Sequence, residues 1–187
     1  MTTHHWHHYA EDERRKWQDP EMILKAAGVQ PGITFIDIGC GQGFFTLPAA
    51  RIIGSAGKIF GVDTDESAIG ELGKKAEQEG IKNLQLTVSP AEKALLCEAC
   101  ADIVFLGIVL HDFADPARVL SNAHRMLKPG GKLVNLDWKK EPMEYGPPLK
   151  IRFDEATATR LIESAGFKII ATTNSGKFHY VITASPR

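Results

Sequence analysis

The chain has 187 residues, with 22 lysines and arginines against 23 aspartates and glutamates and 43% hydrophobic residues. That length suits a single domain over residues 1–187, the apolar fraction excludes a disordered chain, and a net charge of -1 gives no electrostatic case for a nucleic-acid partner. The longest apolar stretch, Ile103 to Leu110, is far shorter than the about 18 residues of a membrane span, so no membrane insertion is expected.

The opening segment, with His4, His5, Trp6, His7, His8 and Tyr9, lacks the cationic and apolar regions of a signal peptide, and a soluble cytoplasmic protein is expected. Residues 1–30 read as a capping segment and a helix ahead of an α/β core over 31–187. Residues 11–19 are strongly charged. Asp19-Pro20-Glu21 reads as an N-cap with proline in the first helical position, opening a helix that Gly28 stops. Ile33 to Ile38, short and β-branched, reads as a buried strand. A glycine loop and a helix from Phe44 to Ile53 follow.

The alternation continues with Lys58 to Val62 as a strand, Ser67 to Glu79 as a helix and Leu84 to Val88 as the third strand. Ile103 to Leu110 is expected as the fourth strand, Pro116 to Met126 as a helix, and Lys132 to Leu136 as the fifth strand after the turn Pro129-Gly130-Gly131. Asp154 to Ala165 reads as a helix. Phe167 to Thr172 and Phe178 to Thr183 flank Asn174-Ser175-Gly176, a hairpin turn that adds two edge strands. The pattern predicts an α/β fold: a doubly wound, seven-stranded, mostly parallel sheet with a C-terminal antiparallel hairpin and helices on both faces.

Asp37-Ile38-Gly39-Cys40-Gly41-Gln42-Gly43 lies between the first strand and its helix, where an open α/β sheet builds its ligand crevice. Glycines there let the backbone turn sharply and approach a ligand, while N–H groups at the helix start attract an anion. The dinucleotide fingerprint G-x-G-x-x-G would need glycine where Phe44 stands, which speaks against NAD. Asp63, at the end of the second strand, can accept both hydroxyls of a ribose. A nucleoside ligand is implied.

These residues resemble the class I S-adenosylmethionine-dependent methyltransferases, whose first motif is acid-x-G-x-G-x-G, on a Rossmann-like fold. The resemblance extends to Asp63, the strand Asp102 to Gly107, the turn Leu127 to Gly131 and the final hairpin, and is greatest to the small ubiquinone/menaquinone C-methyltransferase type. It implies methyl transfer from S-adenosylmethionine to a small-molecule acceptor at oxygen, carbon or nitrogen, leaving S-adenosylhomocysteine. By position, Gly39, Cys40, Gly41 and Gly43 would hold the methionine end, with Asp37 towards its ammonium. Asp63 would hold the ribose and Thr64 the adenine. Ser89, Pro90, Ala91 and Glu92 would line the other side, and Leu106 and Gly107 would bring backbone to the methionyl chain. Pro90 stands where the family often has an acid for the adenine amino group, so that role falls to Glu92 or to no residue.

His111-Asp112-Phe113 resembles the His-Asp-aromatic sequence of plant-type O-methyltransferases. That likeness makes His111 the candidate catalytic base, oriented by Asp112 or Asp115; the competing reading is a histidine packed under the cofactor. Trp17, Trp138 and Arg152 are the candidate substrate contacts, since the N-terminal segment and the loop from Asp137 to Arg152 are the available walls. Three cysteines do not make a disulfide framework and fit a reducing compartment. Cys97 and Cys100 read as two small surface residues, because neither a four-ligand zinc set nor a thioredoxin-like context surrounds them. No metal site is expected, at the N-terminal histidines included. A non-catalytic cofactor-binding module and a nucleotide-dependent oxidoreductase are the alternatives, and the oligomeric state stays open.

Overall fold

A computed structural model describes residues 11–187; the expectations for His4, His5, Trp6, His7, His8 and Tyr9 lie outside the described residues. Parallel strands β1 (Thr34–Ile38), β2 (Lys58–Asp63), β3 (Leu84–Val88), β4 (Ala101–Gly107) and β5 (Leu127–Trp138) are followed by β6 (Phe167–Ser175) and β7 (His179–Pro186). The sheet order is β3-β2-β1-β4-β5-β7-β6, with β7 antiparallel to both its neighbours. The hairpin therefore supplies one edge strand, β6, and not two. Strand order reverses between β1 and β4, and a ligand crevice opens at the carboxyl ends of these two strands.

Helices α1 (Glu11–Arg15), α2 (Pro20–Ala26), α3 (Thr46–Ile53), α4 (Glu66–Gln78), α5 (Pro116–Met126) and α6 (Glu155–Ser164) surround the sheet. Four of them start on an aspartate whose carboxylate accepts a backbone N–H three residues on: Asp19 from Met22, Asp65 from Ala68, Asp115 from Arg118 and Asp154 from Thr157. Each such cap contributes about 0.5–2 kcal/mol. The period of two splits the core. Ile36, Ile38, Val104 and Leu106 pack with Val119, Ala123 and Ile162 on the α5/α6 face. Phe35, Ile103 and Phe105 pack with Leu24, Phe45 and Ala49 on the α2/α3 face. Asp37 shares the face of Phe35, which carries its carboxylate to α3.

Several boundaries differ from those read in the sequence. The fourth strand stops at Gly107, because Ile108 takes a φ of 67° that a strand cannot continue; Leu110–Asp112 is a single 3-10 turn. The fifth strand begins five residues early, at Leu127, pairing with Ala101 across a register shift that absorbs the glycine turn. Asn174 and Ser175 belong to β6, opposite Tyr180 and His179, and the hairpin turns at Gly176 instead. The charged run 11–19 contains α1, with Arg15 Nε 3.1 Å from Glu11 Oε1 one turn away.

The reading of Cys97 and Cys100 as unlinked surface residues is corrected, since they form a disulfide with Cα atoms 6.0 Å apart. The intervening Ala99, at φ 47°, folds the loop back on itself, and Cys40 is the remaining, buried thiol. Among the described residues no helix is long and apolar enough to cross a membrane.

Candidate functional site

A cavity of about 660 Å³ opens at the carboxyl edge of the sheet, floored by the loop after β1 and walled by the ends of β2 and β4. The Asp63 carboxylate is fixed by backbone: Oδ2 accepts the Gly41 N–H at 2.8 Å and Oδ1 accepts the Asp65 N–H at 3.0 Å. Each oxygen keeps a further lone pair, so the carboxylate can accept two more donors without moving. Gly41 sits at φ 50° with open space where a Cβ would stand, a backbone cradle that no atom of the described residues fills. Gly39 is glycine for a different reason: a Cβ there would meet Val109 Cγ1 at 2.6 Å.

Asp37, 2% exposed, accepts from Thr46 Oγ1 at 2.7 Å. Burial, reinforced by the Asp63 charge, pushes its carboxyl up to about 7, against the Thr46 hydrogen bond and the charge of Arg14. Arg14 lines the same cavity from α1, its guanidinium 3.8 Å from the Phe44 ring centroid and its Nε bonded to Gln18 Oε1 at 2.6 Å. Loss of hydration pulls that guanidinium down to about 10, still cationic at neutral pH. Charges of both signs thus line one pocket beside an open backbone loop.

The other residues singled out in the sequence divide. Gly39, Cys40, Gly41, Thr64, Ser89, Ala91, Glu92, Gly107, Trp17 and Trp138 line the cavity. Gly43 does not: a Cβ there would meet Leu72 Cδ1 at 2.4 Å, so it serves the packing of α4. Pro90 caps the turn Ala91–Lys93 outside the lining, and Leu106 points into the core of the opposite face. Cys40 packs with Leu47 and Leu72, and burial pushes its thiol far up, so it is no nucleophile. One oxygen of Glu92 accepts from the Ala114 and Asp115 N–H groups at 3.1 and 3.3 Å, stapling its turn to the segment after β4.

His111 lies under the cavity and not in its lining, with a fully covered side chain. The 3-10 turn that ends the fourth strand early rotates the ring inward, where Nδ1 is 2.7 Å from Asp137 Oδ1 and Nε2 is 3.5 Å from Asp112 Oδ1. Burial works against the charged ring, but the Asp137 charge and hydrogen bond, helped by Asp112, outweigh it and the net shift is upward. Asp137 orients the ring; Asp115 instead caps α5. Asp112 does line the cavity. Arg152, 4% exposed, sits outside the lining and donates to the carbonyls of Pro147, Lys139, Glu141 and Tyr145. It holds the loop that brings Tyr145 against Trp17, ring centroids 5.5 Å apart.

Arg14, Phe44, Phe45, Val109 and Asp112 are cavity residues that sequence reasoning did not place there. The aromatic pair at the exit of the glycine loop was a usable signal. Nothing in the charged run distinguished Arg14 from its neighbours.

At the switch point of a doubly wound sheet, the site combines a carboxylate held at the end of β2, an open glycine cradle after β1 and a buried acid beneath it, the arrangement of an α/β ligand crevice. The methyltransferase-domain family matches residues 30–172, and the chain belongs to that family. It is 29% identical over 126 residues to a demethylmenaquinone methyltransferase of Staphylococcus aureus (strain MRSA252), covering 67% of this chain and 51% of the relative. It is also 29% identical over 131 residues to that of Geobacillus stearothermophilus, covering 70% and 55%. The chain thus spans about half the length of these curated relatives. A SAM-dependent methyltransferase structure from Aquifex aeolicus superposes with a TM-score of 0.86 at 27% identity, covering 95% of this chain and 98% of that one. The [4+2]-cyclase SpnF shares the fold at 17% identity and a TM-score of 0.77, over 89% of this chain and 79% of that one. The architecture by itself therefore does not dictate the reaction.

Proposed function

We propose that this protein transfers a methyl group from S-adenosylmethionine to a small, planar, largely apolar acceptor, in the cytoplasm and as one domain over residues 1–187. The observation that carries the proposal is the Asp63 carboxylate, fixed by the Gly41 N–H at 2.8 Å with acceptor capacity left for a ribose. Family membership and the Aquifex likeness support the same cofactor. The residues present fit it: Asp63 for the ribose hydroxyls, Thr64 and Ala91 for the adenine faces, the Gly41 cradle and Asp37 for the amino-acid end.

Bound there, the cofactor supplies an electrophilic methyl group on a sulfonium whose charge disappears on transfer. The chain's own contribution is to align and to exclude water, which supplies much of the acceleration in a reaction that needs no covalent enzyme intermediate. Phe44, Phe45, Phe113 and Trp138 provide the apolar walls, and they suit a flat acceptor such as the quinone type in the relatives' names. Among the carboxylates of the lining, Asp112 lies on the turn after β4 next to Phe113 and is placed to take an acceptor proton or hydrogen bond. His111, covered and clamped by Asp137, serves as a positioning residue for it.

Tritiated methyl transfer from S-adenosylmethionine into a metabolite extract, with 1,4-dihydroxynaphthalene as a defined quinol probe, tests the proposal. Label in an extracted small molecule is expected. Tight cofactor binding with no label in any acceptor would make the protein a binding module instead.

A further inference from the structure

Arg14 and Asp37 line one cavity from opposite layers, Arg14 on the covering helix α1 and Asp37 on the floor at the end of β1. Each feels the other's charge, yet no hydrogen bond or ion pair joins them among the described residues. The Arg14 side chain is held from two sides, by Gln18 Oε1 on Nε and by the Phe44 ring beneath the guanidinium plane. Those contacts fix the planar fork and use none of its terminal donors: neither Nη makes a hydrogen bond among the described residues. A cation with its terminal donors unused costs hydration free energy in a half-buried site, and so does a buried acid satisfied by a single hydroxyl. Two such costs of opposite sign, facing one space, are both relieved by a ligand group carrying an ammonium and a carboxylate.

We propose that Arg14 and Asp37 together form a zwitterion site, in which Arg14 takes the α-carboxylate of the cofactor's amino-acid tail and Asp37 its ammonium, making α1 part of the binding site and not merely a cover. The inference rests on the cofactor reading above and assigns to it a residue outside the glycine loop. Arginine suits the task because its fork binds a carboxylate through two parallel N–H bonds, where lysine offers a point charge. The Phe44 ring keeps the fork flat and stays in place when the carboxylate arrives. Ligands with the nucleoside but without the carboxylate should then bind through Asp63 and Asp37 alone.

Calorimetry with two probes tests this in wild type and in Arg14→Gln: S-adenosylmethionine, and its decarboxylated form, which keeps the ammonium and the sulfonium. Wild type should prefer the carboxylate-bearing probe by about 10–100-fold, the usual scale for charge-assisted hydrogen bonds, and Arg14→Gln should bind the two within about threefold of each other. Because each protein is compared with itself, a general loss of stability or of nucleoside affinity in the variant cancels. Arg14→Lys should recover only part of the preference. An unchanged preference in Arg14→Gln, or none in wild type, overturns the assignment and leaves Arg14 as a packing residue over Phe44. Wild type that binds neither probe refutes the cofactor reading itself, and this inference falls with it.

Discussion

His111 Nδ1 lies 2.7 Å from Asp137 Oδ1, and neither side chain reaches solvent. The pair lifts the histidine above its ordinary 6.5 despite burial. A raised folded-state pKa gives stability that is fully present below the unfolded value near 6.5 and lost as pH rises through the folded value. Asp137→Asn removes the main upward cause. In that variant the His111 resonance should titrate at lower pH by NMR, and the fall in thermal midpoint from about pH 6 upward should flatten. His111→Leu strands a buried carboxylate and should cost about 3–5 kcal/mol in denaturant unfolding. An identical His111 titration in wild type and Asp137→Asn would break this account.

The covered position of His111 also moves the expected proton acceptor to Asp112, which does line the cavity. With an acceptor that must lose a proton, Asp112→Asn should lower the transfer rate by about 10²–10⁴-fold and leave S-adenosylhomocysteine affinity nearly unchanged. His111→Gln should lower the rate less and shift the pH profile, since it acts through Asp112. A larger loss in His111→Gln than in Asp112→Asn would restore the histidine as the base.

Asp63→Ala should weaken S-adenosylhomocysteine binding by about 1–3 kcal/mol in calorimetry, the scale for hydrogen bonds to a charged group. The substitution also releases the Gly41 N–H that Asp63 now fixes, so Asp63→Asn, which keeps an acceptor oxygen, should lose less. NAD should bind none of the three proteins. Tighter binding of NAD than of S-adenosylhomocysteine to wild type would reverse the reading of the loop.

Sequence signals that act locally were the ones that could be read. Asp19-Pro20 and Asp115-Pro116 announce helix starts because the cap and the proline act within one turn. The placement of Asp37, Gly39, Gly41 and Asp63 at one crevice was legible because β1 and β2 are adjacent parallel strands whose carboxyl ends open on the same edge of the sheet. Arg152 was not, because nothing local tells an arginine facing an acceptor from one bound to four carbonyls of its own loop. Arg14 was hidden among the like residues of its charged run, and its burial depends on α1 docking over Phe44. The inward turn of His111 depends on one left-handed φ at Ile108, an uncommon conformation for a β-branched residue that no pattern foretells.

Arg152→Met tests the structural assignment of that arginine. Losing its bonds to the loop carbonyls should cost about 2–4 kcal/mol and raise amide exchange across residues 139–151. S-Adenosylhomocysteine affinity should stay within about twofold, since Arg152 lies outside the cavity lining. A selective loss of acceptor affinity with normal loop protection would instead return Arg152 to the substrate site.

Asp37 links the ligand to protons. In the free protein, burial holds its carboxyl at about 7 against an ordinary 3.8, so near pH 6 it is mostly protonated. A folded pKa raised in this way gives stability that is fully present below 3.8 and lost as pH rises through about 7, so Asp37→Asn should remove that loss from the pH–stability curve of the free protein. A ligand ammonium beside the carboxylate favours its ionised form and must displace the proton on binding. Calorimetry of S-adenosylhomocysteine binding near pH 6, in buffers of different ionisation heat, should therefore show release approaching about one proton from this group in wild type and none from it in Asp37→Asn. Release should fade above pH 8, where the carboxylate is already ionised. Buffer-independent heats in wild type at pH 6 would mean that no ammonium reaches Asp37, and would leave the acid to its Thr46 hydrogen bond alone.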